Sequence, residues 1–393
     1  MRKFVAVFVG AFVVTTAAYA LDFSVSGEVK TGVYYEHRAL QGKEPVEMAM
    51  IHNNDGDTGA NEGRLRLLMG LEHENFGLRA RYTQTDFKTE SGQVDKFKID
   101  FIYAYGNLFN KQLKISAGLL GESPWASGGP KILSEMETKS TGDNILGIRT
   151  EWTPAFLPGL NLGFVLNRYD NRVPMRPTDY AGRREKFFDV LLESVLGISY
   201  EHEYFALRFA YRLDTEADEG FDGHEGSRFL YRVEERALGK LLPGLQIWAN
   251  GYMYGINSSG QEEKSQRIEN WLYVQYDTVN FTANLNVMYT DTLINNGRFL
   301  LLEPDFTWKF FDDFLNVGLG AGMEMGFDKG NYFGHFYNYW YVGPHARINI
   351  SSGLYVSAHY NYHAGSFLST KAGSLVFLDQ NTHWVNLRLS YTF

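Results

Sequence analysis

The sequence predicts an all-β protein, a transmembrane antiparallel up-and-down β-barrel of about eighteen strands, with sixteen as the alternative because such barrels carry even numbers. Three observations lead there. Segments of about ten residues alternate between apolar and polar side chains, which gives a strand one oily and one wet face. The connections between these segments are alternately short and long. Beyond Leu21, no apolar run is long enough for a spanning helix, so a membrane form must be a closed barrel that satisfies its own backbone.

Composition agrees. The 393 residues suffice for two ordinary domains or one large barrel, and no linker or second domain is visible. Aromatics reach 16%, with 25 Tyr and 29 Phe, while Gly numbers 40 and Pro only 10, a mixture that favours strands. Cysteine is absent, which removes disulfides, thiol nucleophiles and thiolate metal sites. The formal charge of −9 argues against nucleic acid as a partner.

Residues 1–20 read as a signal peptide: Arg2 and Lys3 form a basic start, Phe4 to Ala17 an uncharged run, and Ala18-Tyr19-Ala20 an A-x-A cleavage site. The barrel is then expected over 21–393. Its first strand places Phe23, Val25, Val29, Val33 and Tyr35 on one face, and a long polar stretch from Ala39 to Asn61 follows. Leu65, Leu67, Met69 and Leu71 share the next apolar face, and Leu78, Ala80 and Tyr82 the third. Phe97, Ile99, Phe101, Tyr103 and Tyr105 form the cleanest outward row, against Lys96, Lys98 and Asp100. The pattern continues through Leu113–Leu119, Leu146–Trp152 and Leu162–Leu166, and the connection TPAFLPGL is echoed later by LGKLLPGL. It slips near Phe188–Tyr200 and Arg298–Phe311. The last stretch puts Val385, Leu387, Leu389, Tyr391 and Phe393 outward, with Asn386 and Arg388 inward, and is expected to close the barrel against Phe23–Tyr35.

If the apolar faces meet lipid, the others line the interior. Arg64, Arg66, Arg79, Arg81, Lys96 and Lys98 share parity on three successive strands about 4.8 Å apart, which makes a basic ladder. It either attracts anions as an electrostatic lining or is paired with Glu72, Asp100 and loop acids. Arg208, Arg212, Arg228, Arg232 and Arg236 form a second basic wall. Tyr337, Tyr339 and Tyr341 share the inward parity of one strand, opposite Gly318, Gly320 and Gly322, and Tyr252 and Tyr254 stand likewise on another. Such rings could bind sugars through their faces, or simply fill a curved wall.

The connection from Gly121 to Asp143 is rich in small residues and carries Glu122, Glu135, Glu137 and Asp143. Together with the signal peptide, the strand pattern and the final Phe393, it gives the chain an architecture that resembles the general bacterial porins. In that family the third extracellular loop folds into the lumen and sets carboxylates against an arginine ladder. The resemblance is architectural and includes no shared motif in the loop. It implies an outer-membrane location, a homotrimer in contact with membrane lipid, and passage of small hydrophilic solutes or anions. It also implies that Tyr391 and Phe393 serve as the signal to the barrel-assembly machinery.

Catalysis finds little support. His359 and His363 share a face but lie roughly 13 Å apart along a strand, too far for one metal or one proton relay. His345 and His359 lack a third ligand, and Asn53-Asn54-Asp55-Gly56-Asp57 lacks the spacing of a calcium loop. No enzyme activity, metal or cofactor is expected. The expected function is a porin narrowed by loop 121–143. A substrate-specific channel for sugars or acidic oligosaccharides, and a non-conducting surface barrel, stand as alternatives.

Overall fold

Alternating strands become a membrane wall only when each finds two neighbours, because an open edge in lipid leaves backbone groups unsatisfied. In a computed structural model of the chain, covering residues 22–51, 64–84, 98–121, 123–125, 146–167, 194–212, 228–254, 267–292, 297–326, 336–371 and 374–393, that condition is met by a closed antiparallel barrel. The first strands are β1 (Asp22–Leu40), β2 (Val46–Ile51), β3 (Arg64–Glu72), β4 (Phe76–Gln84), β5 (Lys98–Leu108) and β6 (Leu113–Leu119). Next come β7 (Leu146–Trp152), β8 (Leu160–Asn167), β9 (Val195–Glu201), β10 (Phe205–Arg212) and β11 (Arg228–Glu235), then the short helix α1 (Ala237–Leu241). The second half holds β12 (Leu245–Tyr254), β13 (Arg267–Asp277), β14 (Phe281–Thr292), β15 (Gly297–Phe310) and β16 (Leu315–Gly326). It ends with β17 (Phe336–Ser351), β18 (Leu354–Lys371) and β19 (Ser374–Thr392).

Nineteen strands make eighteen staves. β2 pairs with the upper part of β1, from Val33 opposite Ile51 to Arg38 opposite Val46, whereas β3 pairs with the lower part, from Asp22 opposite Glu72 to Lys30 opposite Arg64. The two therefore occupy one stave in succession. This corrects the expected loop from Ala39 to Asn61: β1 runs on to Leu40, and the mixed sequence VEMAMI forms a strand. Closure comes from β1 and β19, in register from Glu28 opposite Thr392 to Leu40 opposite Gln380, a little above the Phe23–Tyr35 contact expected from the sequence.

The apolar faces point outward as expected: Val385, Leu387, Leu389 and Tyr391 are exposed, and so are Phe23, Val25, Val33, Ile148 and Val317. β5 departs from the expectation. Opposite β4, Tyr82 faces Ile99 and Arg81 faces Phe101, so Asp100 is an extra residue, a bulge. A bulge re-aims every side chain beyond it. Ile99 and Ile102 are therefore exposed, while Phe101 and Tyr103 are 1% and 2% exposed and lie inside, and Tyr105, on the same parity, follows them. The clean outward row expected for Phe101, Tyr103 and Tyr105 is overturned by this one residue.

The short connections carry the turn chemistry hairpins need. Phe109, Asn110 and Lys111 all have positive φ, as do Phe311, Asp312 and Asp313, a left-handed path that matches the twist of paired strands. The two echoing Pro-Gly connections are also equivalent in space. Gly159 (φ 90°) accepts from Glu201 N at 2.9 Å, and Gly244 (φ 96°) accepts from Asp277 N at 2.9 Å. A Cβ would stand 2.1 and 1.9 Å from the carbonyl oxygens of those partners, so glycine is required at both.

Phe393 extends the seam. Its N donates to Gly27 O at 3.0 Å, its O accepts from Gly27 N at 2.9 Å, and its ring covers Gly27 and stacks on Tyr391 at 5.8 Å. Deleting Phe393 removes both main-chain bonds and this cover. The deletion variant is expected to show a several-fold lower folded fraction, read as heat-modifiable mobility on a gel. A wild-type fraction would show that the residue is dispensable.

Candidate lumen site

Which side chains reach the lumen follows from register: directly opposed residues share a face. Starting from buried Val165 and Val195, one inner set runs around half the barrel. It comprises Phe101 and Tyr103 on β5, Leu120 just beyond β6, Val165, Val195, Ala210 on β10 and Leu230 on β11. These residues form an apolar cluster inside the barrel, where a polar lining would ordinarily be expected.

The reason is Trp125. It stands in the connection after β6, is 0% exposed, and packs at the centre of this cluster. Its indole lies directly on the backbones of Gly163 and Gly197, which face each other across β8 and β9. A Cβ on Gly163 would fall 2.0 Å from the indole, and one on Gly197 would fall 1.9 Å from it. The indole Nε1 donates to Asn161 Oδ1 at 3.1 Å, and Asn161 Nδ2 donates to Thr153 Oγ1 at 3.1 Å. The polar edge of the ring is thus satisfied and its faces are covered, as a buried indole requires. Residues 120, 121 and 123–125 therefore run along the inner wall. Sequence reading missed Trp125. The available signal was a tryptophan in a small-residue connection together with two glycines of matching inward parity.

Arg149, also missed, is 0% exposed beneath the same cluster. Its Nε donates to Glu151 Oε1 at 2.8 Å and its guanidinium sits 5.7 Å from the Tyr103 ring centroid. A buried charge needs such partners.

Among the described residues, several of the arginines expected to line the interior are paired with carboxylates. Arg79 Nη2 binds Glu72 Oε1 at 2.6 Å. Arg81 Nε binds Asp100 Oδ2 at 2.8 Å, and its guanidinium lies 4.9 Å from the Phe101 ring centroid. The bulge that turns Phe101 inward therefore also supplies the partner of Arg81. Arg66 stands opposite Glu28 and Thr83. Arg64 stands opposite Lys30, and Lys98 opposite Thr83, in backbone register; their side chains and all of Lys96 lie outside the described residues.

On the second wall Arg208 stands opposite Arg232, and Arg212 opposite Arg228. Arg208 and Arg236 share Glu201 at 2.9 and 2.6 Å, and Arg236 also bonds Glu234 at 2.9 Å. Arg232 is buried against Trp248, 5.3 Å from its ring. In the turn below, the Lys240 ammonium beside Glu203 holds that carboxyl below its usual range. Arg388 faces inward between Gly32 and Ser357.

Tyr339 and Tyr341 also face inward. Tyr341 lies flat on Gly322, where a Cβ would meet its ring at 2.0 Å, and donates to Glu303 Oε1 at 2.9 Å. The side chain of Tyr337 lies outside the described residues, as do those of Tyr252 and Tyr254. Outside them too are Glu122, Glu135, Glu137 and Asp143, and the run Asn53–Asp57. His345 and His359 stack at 5.5 Å. No cluster of three or more His, Cys, Asp or Glu placed to hold a metal occurs among the described residues.

No family model matches the chain, and no curated protein matches it. Solved structures do. The anion-selective porin of Comamonas acidovorans overlaps it with a TM-score of 0.52 at 12% identity, over 95% of this chain and 100% of that one. Pseudomonas aeruginosa OccK11 overlaps at 0.47 and 12% identity, over 94% and 96%. Salmonella typhi OmpF, in complex with daunomycin, overlaps at 0.46 and 10%, over 94% and 97%. At such identities the likeness is one of fold: the chain has the barrel architecture of outer-membrane porins.

Truncating a fully buried indole costs about 3–5 kcal/mol. Trp125→Ala is therefore expected to lower the denaturant midpoint of the folded barrel, and Gly197→Val to do so as well by expelling the ring. An unchanged midpoint in both would mean that the cluster bears no load.

Proposed function

We propose that this barrel is a passive channel of the bacterial outer membrane. It admits small hydrophilic solutes and ions down their gradients, through a basic-lined lumen narrowed by the segment that follows β6. The observation that carries the reading is Trp125 in its glycine cradle. A wall that gives up two side chains to seat an indole from a connecting segment is built to hold that segment inside. Leu120 and Trp125 pack into the apolar cluster of β5–β11, so in the proposed channel the passage runs along the opposite side. Glu122, Glu135, Glu137 and Asp143 belong to this segment, and in the proposed channel they face the basic walls as its constriction.

Arg66, Arg79 and Arg81 on one side, and Arg208, Arg212 and Arg232 on the other, give such a lumen two positive flanks. Their partners Glu72, Asp100, Glu201 and Glu234 hold the guanidiniums in place and reduce their net field. Selectivity by charge is therefore expected to be moderate. The channel is proposed to stand as a homotrimer, with its apolar belt in lipid, after recognition of the strand ending in Tyr391 and Phe393 by the assembly machinery.

Planar-bilayer recording tests this. Steady openings are expected from the wild-type barrel, and a larger single-channel conductance from Trp125→Ala, because the anchored segment is released. Neutralising Arg64, Arg66, Arg79 and Arg81 together is expected to move the reversal potential in a salt gradient toward cation preference. A correctly folded barrel that never conducts would remove the channel reading, and an unchanged reversal potential would remove the ladder.

A further inference from the structure

The wall facing away from Trp125 has a different chemistry. Lys309, Arg347 and Arg388 lie on one row of directly opposed inner positions, through Asn316 and Ser357. Lys309 Nζ is held by Asp277 at 2.5 Å, and the Arg347 guanidinium lies 3.8 Å from the Tyr355 ring centroid. From this row toward the long connections, the inner positions of β14, β15, β16, β17 and β18 up to Gly365 contain no Lys or Arg among the described residues. They carry Asp305, Glu303 and Glu324. At about 3.3 Å per residue, Asp305 and Glu303 stand roughly 13 and 20 Å along the strand from Lys309.

Beside these carboxylates the wall is tiled with rings. Tyr341 lies on Gly322, and His345 lies on Gly318, where a Cβ would fall 2.2 Å from its Nε2. His363 stacks on Tyr341 at 5.2 Å and 25°, with Tyr339 at 5.2 Å on its other flank and Trp384 at 5.7 Å behind. The polar edges are directed at neighbours. The Trp384 indole N–H donates to His363 Nε2, and Tyr339 Oη meets His363 Nδ1. Tyr341 Oη donates to Glu303 Oε1, and Asn286 Nδ2 donates to Glu303 Oε2 at 2.8 Å. Thr307 Oγ1 donates to Asp305 Oδ1 at 3.2 Å, and His345 Nδ1 lies 3.5 Å from Asp305 Oδ2. Ring faces and carboxylate oxygens are both electron-rich, and hydroxyl, amide and indole donors hold them in place here. A platform of that kind complements a positive charge carried on an apolar body.

We propose that the Tyr339–Tyr341–His363 platform, with Glu303 and Asp305 at its edge, is a lumen binding site for organic cations, that is, solutes bearing an ammonium or guanidinium group on a small apolar or planar frame. The cation sits between ring face and carboxylates, while the basic flanks across the lumen receive the anionic part of a zwitterion. The site deepens the channel reading and rests on it for its biological meaning, though not for its chemistry.

Isothermal titration of phenethylammonium into the folded, detergent-held barrel tests the site directly, with 2-phenylethanol as the uncharged control. Wild type is expected to bind the amine in the millimolar range or better, and the alcohol at least about tenfold more weakly. Glu303→Gln with Asp305→Asn is expected to abolish that preference, and Tyr341→Leu to weaken amine binding several-fold, each in a barrel of unchanged circular dichroism. Equal affinity for amine and alcohol, no binding to wild type, or unaltered binding in both variants would overturn the proposal. Amine block of bilayer current reports separately on the channel: binding without conduction keeps the site and removes the pore.

Discussion

The backbone's need for hydrogen-bond partners in lipid governs this structure. Side chains can be exchanged along an oily face at modest cost, but a single unpaired edge across the hydrocarbon would strand a whole row of amides. The seam between β1 and β19 supplies the last row, and its thirteen directly opposed pairs run on past it to Phe393 through Gly27. The remaining features are tolerable because closure is secured. A stave can be shared between two strands, a bulge can interrupt β5, and an indole can replace wall side chains at Gly163 and Gly197.

The interior follows a different rule. A barrel this wide cannot be filled by its own wall residues, so whatever occupies the middle must be anchored. Here the anchor is asymmetric. The half built from β5 to β11 packs an apolar cluster around Trp125 next to the paired arginines of β10 and β11, while the half from β13 to β19 carries hydrogen-bonded rings, amides and carboxylates. Desolvation explains the division. Arg149, buried below the cluster, is held by Glu151 and the face of Tyr103, whereas Arg79 and Asp305 stay partly exposed.

Much of this was legible from alternation alone. Leu387 and Leu389 outward, Asn386 and Arg388 inward, and tyrosine laid over Gly322 all follow from parity, since a period of two leaves no freedom once one residue is placed. The readings that failed did so where parity was broken or hidden. Asp100 is an inserted residue with an ordinary side chain, so the apolar row looked continuous although it changes face between Ile99 and Phe101. β2 was missed because VEMAMI is short and does not alternate cleanly between apolar and polar residues. Trp125 was missed because residues in a connection carry no period at all. Arg66, Arg79 and Arg81 share one face in the strand register, as parity required, while the pairing of Arg81 with Asp100 depends on the bulge and could not be read without it.

The pairing of β1 with β19 also bears on how the chain reaches its final form. Every other pairing joins strands that follow one another in sequence or, for β1 and β3, stand one apart. Each can form as a local hairpin at small entropic cost. The seam alone brings Glu28 to Thr392 and must wait until all the intervening staves have been laid down. Until then the molecule is a curved sheet with two open edges, one of them belonging to a strand whose outer partner changes from β3 to β2 partway along. Folding of this barrel thus has one long-range event, and the two edges that could mispair with another copy are the same two that eventually meet.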